Sequence, residues 1–420
     1  MNALILSIGT ELTTGQCLDT NAAWIAAELT RRGVRVVGHL TVDDEIGHLQ
    51  AAFHRAMEAA DLVVATGGLG PTTDDLTRDA LAQAIGQPLT ENAEALEQVR
   101  AFFARWDRPM HPANAVQTMI PRGCRVIRND RGTAPGIWYY SERVSLFALP
   151  GVPSEMKAMF TAVVTPHVEA VCGKARTKEL RLPCFGISEA RVGELLGELM
   201  SRDRNPLVGT TASRGVIAVR ILAAGNSEAE ADRMIEADAA EIRRRLGKVV
   251  FGQGDESLEG VVGRLLRERG QTLSTAESCT GGLLAKRLTD VPGSSDYFVR
   301  GHVTYSNASK TELPGVSAEL IEAHGAVSEG VAGAMASGCR TVSGSEYAIG
   351  ITGIAGPGGG CPPEKPVGLV YVALAGPADT DIVIKRLLIG EHLAREEIRD
   401  RAASVGLNLL RLRMFDIETP

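Results

Sequence analysis

The chain has 420 residues, a net charge of −7, seven cysteines and eight histidines. One core does not serve so long a chain, so two or three domains are expected, and no run of about 18 apolar residues offers a membrane span. The acidic balance argues against a broad nucleic-acid-binding face, and cysteines without a Cys-x-x-Cys pair and histidines without a His-x-x-x-His pair argue against a disulfide framework or a protein-held zinc.

In chain order, residues 1–172 alternate strand and helix. The start is apolar, lacks a basic leader and passes straight into a strand-turn motif, which predicts a cytoplasmic protein without a signal peptide. Residues 3–8 read as strand, 21–32 as a helix stopped by Gly33, and 34–42 as strand. Ile46, Leu49, Phe53, Ala56 and Met57 then share one helical face before a buried strand over 62–65. That alternation predicts a doubly wound α/β sheet, with any ligand at the carboxyl ends of the strands, where Gly9-Thr10-Glu11 and Gly67-Gly68 lie.

Residues 173–252 read as a small α+β module: strand 180–185, helix 189–200, strand 216–222 and a charged helix 227–246. Arg243, Arg244 and Arg245 sit among acidic residues, the pattern of a solvated helix face rather than an RNA contact, which leaves the module a spacer or interface role. Residues 253–420 return to α/β: helix 258–268, strand 272–275, helix 282–288, strand 299–305, helices 317–324 and 328–341, strands 347–351, 367–375 and 382–388, and a long closing helix.

Chemistry concentrates in the last segment. Thr275-Ala-Glu-Ser-Cys-Thr-Gly-Gly282 ends a strand and opens a helix, so Ser278 sits on a turn beside backbone N–H donors, its own and those near Gly281 and Gly282, that can hold a tetrahedral alkoxide. A second strand ends in Thr304-Tyr-Ser-Asn-Ala-Ser-Lys310, bringing Tyr305 and Lys310 toward the same pocket. Serine needs a base; a desolvated Lys310 is the candidate, with Tyr305 as proton relay or as the residue that orients Lys310. Cys279 is the rival nucleophile, and a helix cap at Ser278 with a packed Cys279 is the plain structural alternative. Thr352 and Gly353 open a glycine-rich loop running to Gly360, where backbone amides can approach a phosphate and Thr352 can hydrogen-bond the substrate or oxyanion. Lys365 beyond it adds charge or is simply an exposed loop lysine. In the first segment, Gly67, Gly68, Gly70 and Thr72 form a candidate phosphate cradle, and Asp74 and Asp75, with Glu11, a candidate cage for a hydrated divalent cation; both aspartates also suit a helix N-terminus.

These motifs, with Gly325-Ala-Val-Ser-Glu329 and Ile351-Thr-Gly-Ile-Ala-Gly-Pro357, resemble the nicotinamide mononucleotide (NMN) amidohydrolase domain of the CinA family. Gly9-Thr-Glu-Leu-Thr-Thr-Gly-Gln16, Thr20-Asn21, the Gly67–Asp75 loop, Gly132-Thr-Ala-Pro-Gly136 and Pro150-Gly-Val-Pro-Ser-Glu-Met156 resemble that family's molybdopterin-binding-like domain. The resemblance implies three domains: a molybdopterin-binding-like domain over 1–172, a KH-like α+β module over 173–252 and a deamidase domain over 253–420. It implies a bifunctional hydrolase of pyridine-nucleotide salvage: NMN deamidation through Ser278 and Lys310, with Tyr305 in the same pocket and no cofactor, and hydrolysis of ADP-ribose in the first domain with Mg, Mn or Co on Asp74, Asp75 and Glu11, and Asn21 on the substrate. The alternatives are a non-catalytic pterin or nucleotide binder at the first domain, or a competence-related scaffold. A homodimer is expected, symmetric dimers being the commonest closed assemblies. One departure stands out: where such deamidases carry Gly-Asp-Arg, this chain reads Gly390-Glu-His392 followed by extra residues, with His392 and Arg399 as possible replacements for the arginine.

Overall fold

The structure, a computed structural model, describes residues 1–105, 107–172, 176–358, 365–378 and 381–416. Gly173, at the expected start of the middle module, and Gly359, Gly360 and Cys361 of the glycine-rich loop lie outside the described residues. The chain divides into two compact units, Met1–Lys178 with Ala223–Met234, and Glu179–Leu222 with Ile235–Pro420. Among the described residues no helix is long and apolar enough to cross a membrane.

The first unit is built on a six-stranded sheet in the order Arg35–Val42, Asn2–Ile8, Leu62–Thr66, Ser145–Leu149, Gly136–Tyr140, Arg125–Ile127. The first four strands are parallel and the last two antiparallel. Alternate residues of one strand feed opposite cores, which is why residues 3–8 are buried throughout and apolar at every position but Ser7. Leu4, Leu6 and Ile8 pack with Phe53 and Leu81, while Ala3 and Ile5 pack with Ile25, Leu29 and Phe160. The helix Thr20–Arg31 starts where Asp19 accepts a hydrogen bond from the Ala22 amide, and Ile46–Ala59 where Glu45 accepts one from His48.

In the middle segment, strands Arg176–Phe185, Val216–Gly225 and Leu207–Ser213 form a three-stranded sheet. Leu207–Ser213, unassigned from sequence because Gly and Thr interrupt its alternation, pairs antiparallel with Val216–Leu222. The turn between them has φ of 49° at Arg214 and 80° at Gly215, the paired positive values of a tight hairpin.

The five-stranded sheet of the second unit runs Phe298–Val303, Leu273–Glu277, Tyr347–Gly353, Leu369–Ala375, Ile382–Leu388. The first three strands are parallel, so their carboxyl ends open side by side with Leu273–Glu277 in the middle. The other two are antiparallel. One face packs on helices Leu258–Arg269 and Arg395–Asp416 through Val262, Leu266, Leu407 and Leu410, and the other on Glu329–Ser343 through Val331 and Met335. The helix lies so close that a Cβ at Gly350 would meet the Ala332 carbonyl at 2.7 Å.

Candidate functional site

Ser278 follows the central parallel strand and is 8% exposed. Its Oγ lies 3.1 Å from Lys310 Nζ, and Lys310 is 1% exposed. The lysine stands on the short helix Asn307–Glu312, fixed by a capping box between Ser306 and Ser309. Its Nζ also reaches the carbonyls of Thr304 at 2.8 Å, Tyr305 at 3.4 Å and Ser306 at 3.5 Å. Among the described residues no carboxylate pairs with it, and burial pushes its pKa below the ordinary lysine value. The two residues expected to act together are therefore in hydrogen-bond contact, with burial lowering the pKa of the amine from the ordinary lysine value. Cys279 beside them is buried, and burial pushes its thiol up to about 12, so at neutral pH it is the protonated, unreactive form.

The donors of the turn differ from the expectation. The Ser278 amide donates to the Ile351 carbonyl at 2.9 Å and the Gly281 amide to the Ser278 carbonyl at 3.1 Å. Glu277, fully buried, accepts from the amides of Gly282 at 3.1 Å, Leu284 at 3.0 Å and Ala285 at 2.8 Å, so its carboxylate caps the helix Leu283–Thr289 from within. The helix start is thus occupied, and Gly281 and Gly282 shape the turn, with φ of 58° and 90°, rather than donate to a substrate. The amides of Cys279 and Thr280 donate to no other residue among the described residues.

Three further expectations need correction. The Tyr305 side chain is 61% exposed, and its phenolic oxygen accepts from Arg395 Nη2 at 3.0 Å; only its backbone carbonyl faces Lys310, so the phenol is not a relay between Lys310 and Ser278. Thr352 is fully buried and donates its hydroxyl to the Ala326 carbonyl at 2.7 Å, anchoring the loop at Gly325–Ser328 instead of a substrate. Gly353 permits close strand packing, since a Cβ there would meet the Leu369 carbonyl at 2.8 Å. Lys365 donates to the His324 carbonyl at 2.8 Å.

The residue that sequence reading missed is Arg395. Its Nη1 donates to the Gly356 carbonyl and its Nη2 to Tyr305, while Arg399, one turn on, donates from Nε and Nη2 to the Thr280 carbonyl at 3.2 and 2.6 Å. Neither arginine pairs with a carboxylate among the described residues, so two positive charges face the nucleophile's turn. The available signal was the i, i+4 spacing of Arg395 and Arg399 at the start of the closing helix.

In the first unit, Gly67 and Gly68 follow Leu62–Thr66 at the switch in strand order, beside the end of Asn2–Ile8: a Cβ at Gly67 would lie 2.1 Å from the Ile8 carbonyl. The loop is held from inside. Asp75 accepts from the amides of Gly70 and Thr72, each at 2.8 Å, and from the Thr72 hydroxyl, and the Gly67 amide donates to the Leu149 carbonyl. Arg78, 2% exposed, donates to the carbonyls of Leu69 and Gly70 at 2.7 and 2.9 Å. Gly67, Gly70 and Thr72 therefore do not offer amides to a phosphate, whereas the Gly68 amide has no hydrogen bond among the described residues. Asn21 donates from Nδ2 to Thr66 Oγ1 at 3.2 Å and to the Gly151 carbonyl at 2.8 Å; its buried Oδ1 has no partner among the described residues. Glu11 is exposed and folds back against Gly9. Among the described residues no three His, Cys, Asp or Glu side chains are placed to hold a metal ion, so Glu11, Asp74 and Asp75 do not form the expected cage; the oxygens of Asp75 already serve the loop.

Residues 255–414 match the CinA C-terminal domain, 4–170 the probable molybdopterin binding domain, and 178–252 the damage-inducible protein CinA KH domain. A putative competence-damage inducible protein of Symbiobacterium thermophilum is 44% identical over 423 residues, covering 98% of each chain. A CinA-like protein of Geobacter sulfurreducens is 45% identical over 417 residues, covering 99% of this chain and 100% of its own. Among solved structures, CinA of Thermoplasma acidophilum is 37% identical, with 39% of this chain and 96% of that one covered and a TM-score of 0.37. Competence damage-inducible protein A of Klebsiella pneumoniae is 34% identical, with 38% and 95% covered and a TM-score of 0.36.

Proposed function

The chain belongs to the CinA family, and from that premise we propose that its second unit is a serine amidohydrolase that converts NMN to nicotinic acid mononucleotide and ammonia. The observation that carries this reading is the 3.1 Å contact between Ser278 Oγ and a buried Lys310 with no carboxylate partner. The neutral amine takes the Ser278 proton as Oγ attacks the carboxamide carbon, and the amides of Cys279 and Thr280 receive the oxyanion. Lys310, now an ammonium, returns the proton to the departing nitrogen, and ammonia leaves an acyl ester on Ser278. Lys310 then draws a proton from water, whose oxygen attacks the ester, and collapse restores the serine and releases the carboxylate. Arg395 and Arg399 supply the positive charge that a substrate phosphate requires. Ser278→Ala tests this directly: ammonia release from NMN is expected to disappear, and release near the wild-type rate refutes the assignment.

For the first unit, we propose a site for a phosphate-bearing nucleotide such as ADP-ribose, with the Gly68 amide, unbonded among the described residues, as a donor to phosphate and Asn21 Oδ1, without a partner among the described residues, as an acceptor for a hydroxyl or amine of the nucleotide. Among the described residues no three carboxylates converge there, so a divalent cation would be held through water and the ligand's phosphates as well as by Asp74. Incubation with ADP-ribose, with and without added Mg, Mn or Co, separates a hydrolase, which forms AMP and ribose 5-phosphate, from a binder, which returns ADP-ribose unchanged. Both ligands are breakdown products of NAD, which gives the fusion of the two units a common purpose.

A further inference from the structure

Arg395 joins two loops that leave the sheet on opposite sides of the nucleophile. Tyr305 follows the strand Phe298–Val303 and Gly356 follows Tyr347–Gly353, and the strand carrying Ser278 lies between these two. Parallel neighbours are about 4.8 Å apart, so the flanking strands are separated by about 10 Å, a gap that a guanidinium with a hydrogen bond at each end can bridge. Arg395 makes that bridge, donating to the Gly356 carbonyl on one side and the Tyr305 phenol on the other. A guanidinium has no acceptor, so the phenol oxygen is the acceptor and the tyrosine tip is fixed.

The ring so fixed is 61% exposed and stacks on no other ring among the described residues. An exposed aromatic ordinarily moves freely, but this one is held at its polar end, and its backbone carbonyl lies against Lys310. We propose that Tyr305 is the residue that recognises the substrate's ring: a pinned aromatic face on the flank of Ser278 against which a flat, cationic pyridinium stacks while its carboxamide reaches the serine. Stacking on an aromatic side chain selects for planarity, and the electron-rich face of a phenol favours a positively charged ring. Tyr305 would thus act on binding and not on proton transfer. The inference rests on the reading of the second unit as a deamidase of a pyridine nucleotide.

The test is steady-state ammonia release from NMN by the full chain and its Tyr305→Phe and Tyr305→Leu variants. The side chain is exposed, so neither change removes core packing. Phenylalanine keeps the face but loses the tether that fixes it, so KM is expected to rise, by less than for leucine, while kcat stays within about threefold of wild type. Leucine loses the face, and KM is expected to rise about 5- to 100-fold, the range that base stacking on an aromatic side chain supplies, with kcat changed much less. A loss of about 100-fold in kcat for Tyr305→Phe makes the phenol a proton carrier and overturns the proposal, as does an unchanged KM for Tyr305→Leu. Absence of ammonia release by the wild-type chain defeats the deamidase reading and this inference with it, an outcome distinct from either variant result.

Discussion

Replacing Lys310 by Met keeps the stem of a side chain that is 1% exposed and deletes the amine 3.1 Å from Ser278 Oγ. General-base catalysis contributes about 10²- to 10⁴-fold, or about 2.7–5.5 kcal/mol at 1.36 kcal/mol per decade. The upper half of that range is expected here, because among the described residues Lys310 is the only side chain hydrogen-bonded to Ser278 Oγ, and the same amine must return the proton to the leaving nitrogen. The assay is ammonia release at limiting NMN across about pH 6 to pH 10. Only the neutral amine accepts a proton and burial lowers its pKa, so kcat/KM should rise with pH along a limb centred below the ordinary lysine value of about 10.4. Lys310→Arg keeps a cation that does not deprotonate, and the loss should match that of Lys310→Met. Full activity in Lys310→Met with the limb unmoved, or substantial activity in Lys310→Arg, refutes the assignment of the base.

Cys279→Ala should retain near-wild-type ammonia release, and the wild-type enzyme should resist thiol alkylation at neutral pH, since the thiol is buried and its pKa is pushed up to about 12; rapid inactivation by iodoacetamide would contradict this. Glu277→Ala strips the acceptor from three backbone amides and should lower stability by about 3 kcal/mol or more, read as a lower unfolding midpoint in urea, with Glu277→Gln milder because one acceptor oxygen remains. Asp75→Asn places an amide where the loop needs two acceptors and should weaken ADP-ribose binding by calorimetry far more than Asp74→Asn; equal effects would return Asp75 to a role toward the ligand. On the proposed serine mechanism, chelation with EDTA should leave ammonia release from NMN unchanged.

Most of the architecture was legible because the inner strands of both large sheets are buried on both faces, which imposes near-continuous apolar runs separated by amphipathic helices. The strand expected over 62–65 is Leu62–Thr66, and that over 382–388 is Ile382–Leu388. Leu207–Ser213 escaped notice because its pairing depends on a hairpin partner rather than on its own pattern. At the site, Ser278 and Lys310 were legible because a nucleophile and an isolated lysine follow neighbouring strands, and parallel pairing brings those ends together. Hydrogen-bond direction was not. Whether an amide next to a nucleophile is free depends on what else reaches it, and the carboxylate that takes the amides of Gly282, Leu284 and Ala285 belongs to Glu277, the residue before the serine. Asp75 does the same to the glycine loop of the first unit. In both places an acidic residue inside a signature motif serves the backbone of its own turn, an arrangement that composition cannot distinguish from a ligand set. Arg395 was hidden for a different reason: nothing in the stretch from Gly390 to Ala394 marks it in the sequence, yet the helix that begins there turns both Arg395 and Arg399 back onto the loops around Ser278. Helical phase, not distance from the preceding glycine, decides which arginine reaches the site.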